Sequence, residues 1–460
     1  MTRRALIVGL FLAVLVNIWP TYSSLIVHSS RADYAHLSVA FLIPFIFLLG
    51  INLILDRFGR GLSPSEMLCI CCIGMVSATM QGEWLSGYFL GVVTAPTYFA
   101  TPENRWADLL FEHIPSWAIV ASRPAAMGFY ESLPKGIPLP WEPWLPPMFW
   151  WGGFFGALLL ASLSLVTLFR KQWMEHERLT YPVAAALLEL TGVSGARGTL
   201  ADLTRSPLFR VGFGLVLFVI AWNILTWFSV TLPRLPVLET RHVPIARGFP
   251  SLRVVVHPMI IAFGYFTKSE VLLSIWVFHL LAILQIGIFN RTGFTIGGSD
   301  PWCSLDAAIG WQNFGGMIVF VGWGIWAARA HLKAVALKVF AGKDTVDDSG
   351  EVISYRVCVF ALIGSAVYLL LFLHHAGMSL WPLLAFWLGT FVLYLGLARI
   401  MVESGLVYLR GPITAQAFTW HLFGIAGMGP ASAAALGLSY TFFCDAKTFA
   451  ITTLAHIPRL

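Results

Sequence analysis

The stretch from His36 to Leu55 reads HLSVAFLIPFIFLLGINLIL and contains no Asp, Glu, Lys or Arg. Twenty helical residues are about 30 Å long, which is the thickness of the hydrocarbon core of a bilayer. The stretch is followed by a short basic loop, DRFGR at positions 56–60. Because Lys and Arg collect in cytoplasmic loops, this pattern predicts a membrane-spanning helix whose C-terminal end faces the cytoplasm.

The composition of the whole chain agrees with this stretch. Of its 460 residues, 58% are hydrophobic and only 11% are charged, and the mean hydropathy is +0.77. A soluble domain has about 25% charged residues, so a soluble, disordered or disulfide-stapled protein is excluded. We expect an all-α polytopic membrane protein in which residues 1–460 form one membrane domain with about 9–12 transmembrane helices.

Charge and short motifs exclude several functions. Arg3 and Arg4 precede the first apolar run, which predicts a cytoplasmic N-terminus and a multi-pass protein of the cell membrane, inner or plasma. The net charge is +6, but the basic residues lie beside apolar runs and form no groove for nucleic acid. Zinc-ligand spacing, a P-loop and His-Glu-x-x-His are all missing from the sequence, so we expect neither a metal nor a cofactor.

The apolar runs are interrupted in ways that matter for topology. Residues 96–146 are rich in proline and mixed charges and predict one long extracytoplasmic loop, which acts as a lid or a platform. Apolar pieces at 181–190 and 257–266 are too short to cross and predict re-entrant or half helices. If both pieces are re-entrant, the basic loop 329–343 lies on the extracytoplasmic side, where basic loops are not expected. One of the two pieces or the stretch 293–310 must therefore cross the membrane.

Two groups of polar residues lie within apolar runs. Gln81 and Glu83 are near the middle of the third run, and Arg399 and Glu403 are four residues apart near the end of another. A charge at bilayer depth costs about 2.5–3.5 kcal/mol, which favours a substrate or ion pathway. The alternatives are a helix broken at Gly82, which brings Glu83 near the surface, and a structural Arg399–Glu403 ion pair on one helix face.

A third group surrounds the glycine-rich stretch 293–302, which contains Asp300 and is followed by Gln312 and Asn313 at the start of the next apolar run. Irregular backbone within a membrane is tolerated where it lines a cavity, and half-helix ends aimed at a cavity hold ions. We therefore predict that these three residues contribute to the pathway. The more common alternative is an extramembrane loop.

Three segments resemble an uncharacterised prokaryotic family of multi-pass membrane proteins, catalogued as a domain of unknown function. They are YFATPENRW at 98–106, ERLTYPVAAA at 177–186 and RIMVE at 399–403. The resemblance covers nearly the whole chain and implies a many-helix membrane protein without a known activity. It also implies that relatives continue beyond position 460 with further spans, so that this chain would be a shortened form.

The segment from Tyr181 to Leu188 is, in addition, similar to a motif of oligopeptide transporters, in which a Tyr-Pro stretch opens a helix near the transport path. Val183 stands where that motif has a glycine. The similarity implies that Tyr181 lies near a substrate pathway.

Three functions follow from these observations as hypotheses. The first is a secondary transporter of a small organic or peptide-like solute, coupled to protons through one of the membrane acids. The second is a membrane-embedded enzyme for a lipid-linked substrate, with acid and base groups in the long loop. The third is a membrane scaffold subunit. The expected partners are the lipid bilayer, a small solute and either a second copy or another subunit. The candidate acid and base groups are Glu103, Asp108, Glu112 and His113.

Overall fold

The computed structural model describes residues 2–29, 31–33, 35–80, 83–193, 204–298, 300, 302, 306–406, 408–443 and 450–460. In these residues the regular structure is helical apart from one antiparallel pair of three-residue strands, which confirms the all-α prediction. Eight helical stretches among them are long and apolar enough to cross a bilayer.

The helices follow one another with few long connections. The first half contains α1 (Arg3–Thr21), α2 (Val39–Asp56), α3 (Pro64–Met80), α4 (Leu90–Tyr98), α5 (Trp106–Leu109), α6 (Arg123–Glu131), α7 (Leu145–Lys171), α8 (Pro182–Thr191) and α9 (Pro207–Leu225). The second half contains β1 (Arg241–Val243), β2 (Leu252–Val254), α10 (Pro258–Phe266), α11 (Ser269–Thr292), α12 (Ala307–Ala327), α13 (Arg329–Ala341), α14 (Tyr355–His375), α15 (Leu380–Ser404), α16 (Ala415–Met428), α17 (Pro430–Leu438) and α18 (Ala450–Leu454).

Three long helical stretches contain a π-helical turn. The turn Tyr22–Ile26 extends α1, Glu83–Phe89 leads into α4, and Gln172–His176 extends α7. A π-helical turn widens the helix by one residue and is frequently found at functional sites. Gly82, where the sequence analysis considered a break, lies outside the described residues, and the second of these turns begins directly after it.

Aromatic side chains fill the centre of the bundle, where α7 packs along α14. The Phe154 ring lies 4.5 Å from that of Phe442, and the Trp151 ring lies 4.9 Å from that of Phe372. Large buried rings contribute most of the packing area in such a core. This cluster holds the long helices against the irregular segment after α17.

Several long helices begin or end at the same end of the bundle, which we call the Arg170 end. Arg170, at the end of α7, forms an ion pair with Glu351 at 3.3 Å, just before α14 begins. The helix α13 is also found there, because the His331 ring donates to the carbonyl of Leu168 at 2.9 Å. The basic stretch 329–343 therefore shares this end with the termini of α7 and α14.

The segment around His257 crosses the bundle. At one end of α11, the amide of Asn290 donates to the carbonyl of Gly248 at 2.8 Å. At the other end, the hydroxyl of Thr267 donates to the carbonyl of Ser404, the last residue of α15, at 2.6 Å. Because α11 has 24 residues and is about 36 Å long, residues 248–267 travel its full length. Of the stretches of which one was expected to cross, the stretch around His257 is therefore the one that runs alongside a long helix from end to end, which agrees with the position of 329–343 at the Arg170 end.

The opposite end, which we call the Ser379 end, is covered by residues 99–144. This region contains α5, α6 and short 3-10 turns at Ser116–Ala118 and Glu142–Trp144. It is anchored to the bundle because the indole of Trp151 donates to the carbonyl of Ala118 at 3.0 Å. The predicted loop is therefore a partly helical cover.

Candidate functional site

A helical hairpin with both open ends inside the bundle is the main irregular feature of the fold. It consists of α16 and α17, residues 415–438, joined at Gly429, and we call it the half-helix hairpin. Its first helix begins beside Gly389, near the middle of α15. A Cβ atom placed on that glycine would lie 3.3 Å from the Cβ of Ala415. The N-terminus of α16 therefore lies at about half the length of a membrane-spanning helix.

The tip of the half-helix hairpin reaches the Ser379 end. The amide of Ser379 donates to the hydroxyl oxygen of Ser432, two residues into α17, at 3.0 Å. At the open ends, the amide nitrogen of Gln416 donates to the Ser439 hydroxyl at 2.9 Å and to the carbonyl of Phe443 at 2.7 Å. Gln416 thus joins the start of α16 to the end of α17 at mid-length.

Asp300 is bound at the N-terminus of α16. Its carboxylate is buried, with a residue exposure of 6%, and accepts hydrogen bonds from the backbone amides of Thr414 at 2.6 Å and Trp302 at 2.9 Å. The positive end of a helix dipole stabilises a carboxylate in this position. The stretch is exposed from Gly293 to Gly297 and then turns inward, so an ordinary extramembrane loop does not describe Asp300.

A cavity of about 300 Å³ lies between the two arms of the half-helix hairpin. Its polar and aromatic lining comes from Gln416, Trp420, His421 and Tyr440. The His421 ring packs edge-on against Trp311, at 5.5 Å between centroids, and the indole of Trp311 donates to the carbonyl of Gly298. The glycine-rich stretch therefore lies against the residues that line this cavity.

The π-helical turn Glu83–Phe89 packs against Ser439–Thr441, which directly follow α17 at the open end of the half-helix hairpin. Tyr88 also meets Trp302 edge-on at 5.5 Å. The backbone of the turn is thereby placed next to Asp300 and the irregular ends of α16 and α17. Gln81, the other residue predicted in this run, lies outside the described residues.

Sequence reasoning missed His36, which joins the irregular segment after α15 to the helix α18 in the interior. Its Nε2 lies 3.2 Å from the carbonyl oxygen of Leu409, and its Nδ1 shares a hydrogen bond of 2.8 Å with the hydroxyl of Thr452. Because a carbonyl can only accept, Nε2 carries the hydrogen of the first bond. The available signal was an imidazole at the border of a fully apolar run.

Arg399 and Glu403 do not form the ion pair that was the alternative to a pathway role; each has another partner. The Arg399 guanidinium forms an ion pair with Glu177 at 2.7 Å, and both side chains are only 16% exposed. It also lies 4.8 Å from the centre of the Phe320 ring, a cation–π contact. Glu403 is paired with Lys268 at 4.0 Å. Tertiary contacts offer Arg399 a closer and more buried carboxylate than its helix neighbour.

Tyr181 holds the end of α15 at the Arg170 end. Its backbone amide donates to the carbonyl of Val402 at 2.9 Å, and the Thr180 hydroxyl donates to the carbonyl of Glu403 at 2.9 Å. The last carbonyls of a helix have no partner within it, so these bonds cap α15. The Tyr181 ring is buried and lies 6.1 Å from that of His456. Tyr181 and the half-helix cavity are not brought together.

Gln312 and Asn313 line a different feature, a groove of about 610 Å³ between α11 and α12. His279 and Gln285 are the other polar residues of its lining. Both predicted residues are exposed in this chain. The predicted pathway residues therefore fall into three places: the half-helix hairpin, the Arg170 end and this groove.

The acid and base candidates of the long loop do not converge on a cavity described above. Glu103, Asp108 and Glu112 are exposed, and Asp108 forms an exposed ion pair with Arg105 at 3.3 Å. A hydrogen bond from the Thr101 side chain lowers the pKa of Glu103, which favours the ionised carboxylate over a general acid. Within the described residues, no group of three or more His, Cys, Asp or Glu is arranged to hold a metal ion.

The fold and the buried polar interior define a class: a helical protein with several apolar helices of membrane-spanning length, built around a half-helix hairpin. The chain belongs to a family of unknown function (DUF6785), whose family model matches residues 1–460. No curated protein and no solved structure matched the chain.

Proposed function

We propose that the chain is a secondary transporter of a small organic or peptide-like solute in the cell membrane. The observation that carries the proposal is the half-helix hairpin, whose two open ends stop at mid-length beside the buried Asp300. Transporters place solutes and coupling ions near the bilayer midplane, where discontinuous helices expose backbone groups. Irregular backbone at that depth is tolerated where it lines a cavity or is buried in protein.

The cavity within the half-helix hairpin is the proposed solute site. Its volume of about 300 Å³ is at the lower limit of ligand sites, which favours a small solute. Gln416 offers an amide, and Trp420 and Tyr440 offer aromatic surface, a combination that suits a solute with both polar and apolar parts. The similarity of Tyr181–Leu188 to oligopeptide transporters stays a prediction, and Tyr181 would act at the end of α15 and not on the solute.

The coupling acid is proposed to be Asp300 or Glu83, and no longer Glu403. Asp300 is buried at mid-length and Glu83 begins a π-helical turn that packs beside the half-helix hairpin. Glu403 is 31% exposed and paired with Lys268 at the Arg170 end. Lys and Arg concentrate there, which by the positive-inside rule supports the proposal that this end and the N-terminus face the cytoplasm.

Proteoliposomes loaded with a pH-sensitive dye test the proposal. Addition of di- and tripeptides or small organic acids should cause solute-dependent proton entry with the wild-type chain. Asp300→Asn should reduce that entry by about tenfold, because a charged hydrogen-bond acceptor becomes neutral. Asp108→Asn, a change in the exposed ion pair with Arg105, serves as the matched control and should leave it intact. No proton entry with any of these solutes would contradict the proposal, and equal entry with both variants would exclude Asp300 as the coupling acid.

A further inference from the structure

One face of α13 carries a pattern that the proposed transport function does not use. Arg329, Lys333, Ala336 and Phe340 are spaced by four, three and four residues, so they share one face of the helix. All four are exposed. We call this the basic face of α13. This exposed stripe presents two positive charges and a large aromatic ring on the same side of the helix.

The opposite face of α13 is occupied by the protein itself. His331, Val335 and Val339 are buried against the ends of α7 and α14. Lys338, which lies on that side, forms ion pairs with Asp348 at 2.8 Å and Asp344 at 3.1 Å. The helix is therefore fixed in rotation, and the acidic residues of the following loop are bound to Lys338 and not to the basic face.

Each end of the basic face contacts an exposed aromatic residue on a neighbouring long helix, α14 or α12. Phe340 packs edge-on against Phe360, an exposed residue in the second turn of α14, at 6.2 Å between centroids. Arg329 lies 4.5 Å above the exposed ring of Trp326 and donates to its carbonyl at 2.8 Å. Tryptophan at helix ends is enriched at the level of the lipid headgroups. Arg329 is held against such a tryptophan, and Lys333 lies one helical turn further along the same face.

We infer that the basic face of α13 binds the headgroup phosphates of acidic phospholipids in the leaflet at the Arg170 end. Arg329 offers a guanidinium fork for a phosphate, and Lys333 offers a second positive charge one helical turn away. Neither side chain has a carboxylate partner among the described residues. Anionic lipids attract basic residues at this level, and zwitterionic lipids do so far less. This inference holds whether or not the chain transports a solute.

Native mass spectrometry of the full chain, released from micelles that contain either phosphatidylglycerol or phosphatidylcholine, tests the inference. The wild type should retain phosphatidylglycerol in preference to phosphatidylcholine. The double variant Arg329→Gln, Lys333→Gln should bind phosphatidylglycerol roughly 30-fold more weakly, the ratio expected for two lost basic residues near anionic lipid. The charge-keeping variant Arg329→Lys, Lys333→Arg should retain most of the binding.

A matched control removes the same charge from the Ser379 end, with Arg105→Gln and Lys135→Gln, and should leave lipid retention unchanged. Equal retention of both lipids by the wild type would overturn the inference, as would an equal loss in the control. Displacement of the lipid by inorganic phosphate at the same concentration would show a free-phosphate site and would also overturn it. Exclusive retention of an acidic protein or of RNA would have the same consequence.

Discussion

Replacement of Glu177 by Gln tests a largely buried ion pair at the Arg170 end. The change removes the carboxylate that lies 2.7 Å from the Arg399 guanidinium, and both side chains are only 16% exposed. Removal of one partner from a fully buried pair costs 3–5 kcal/mol, because the remaining charge stays buried without compensation. Some solvent reaches this pair, so we expect a loss of about 3 kcal/mol in the free energy of unfolding.

The neighbouring pair provides a matched control. Glu403→Gln removes the same chemical group from a pair with Lys268 that is longer, 4.0 Å, and more exposed, with 46% and 31% of the side chains accessible. Solvent-exposed pairs contribute about 0.2–1 kcal/mol. The control should therefore destabilise the chain by less than a third as much as Glu177→Gln.

The assay is equilibrium unfolding of the purified chain in mixed micelles, read by tryptophan fluorescence as the denaturing detergent fraction rises. Double-mutant cycles with Arg399→Gln then separate the two couplings. We expect a coupling of about 2 kcal/mol or more between Glu177 and Arg399, and about zero between Glu403 and Arg399. If the coupling between Glu403 and Arg399 were larger than that between Glu177 and Arg399, Arg399 would be paired with Glu403, as its i, i+4 spacing allows, and the reasoning would be refuted.

Two further predictions concern the ends of α14 and α15. Gly405→Ala should destabilise the chain by about 1–3 kcal/mol in the same unfolding assay, because Gly405 has a φ of +66° and a Cβ there would lie 2.7 Å from the Pro182 ring. For Asp348, hydrogen bonds first from Lys338 and then from the amide of Tyr355 lower the pKa of the carboxyl. The carboxylate therefore stabilises the fold fully when the pH is above the ordinary Asp pKa of about 3.9, and this stabilisation is lost as the pH falls below that pKa. Amide exchange in residues 342–354 should accelerate only in that acidic range. An exchange rate that does not change there would contradict this prediction.

Long apolar helices could be predicted from the sequence because each of them is specified locally. The run predicted at His36–Leu55 corresponds to α2 (Val39–Asp56), and the apolar run that contains Arg399 and Glu403 near its end corresponds to α15 (Leu380–Ser404). A helix in a membrane satisfies its own backbone hydrogen bonds, so length and hydrophobicity suffice to locate it. The helix α13 was missed because its charges were read as a loop, although Val335 and Val339 already show helical spacing.

The polar contacts could not be predicted in the same way, because their partners are far apart in the chain. His36 is bonded to Leu409 and Thr452, 373 and 416 residues away. The spacing rule for Arg399 pointed to Glu403 because it considers one helix alone, whereas the choice of Glu177 depends on where the end of α7 meets α15. Asp300 was found from the sequence because glycine-rich backbone between apolar runs is itself a local signal.

The same contrast between local and long-range information decides where function is to be sought. A membrane helix that continues without a break needs no polar partner, whereas a helix that stops at mid-length leaves amides and carbonyls that something must satisfy. Here Asp300 satisfies the start of α16, and Gln416 ties that start to the end of α17. The bond to Asp300 joins segments 114 residues apart and the bonds of Gln416 join the two arms, so movement of either arm must break or remake them. The half-helix hairpin is thus the place where a bound solute or proton would alter the packing of the whole bundle.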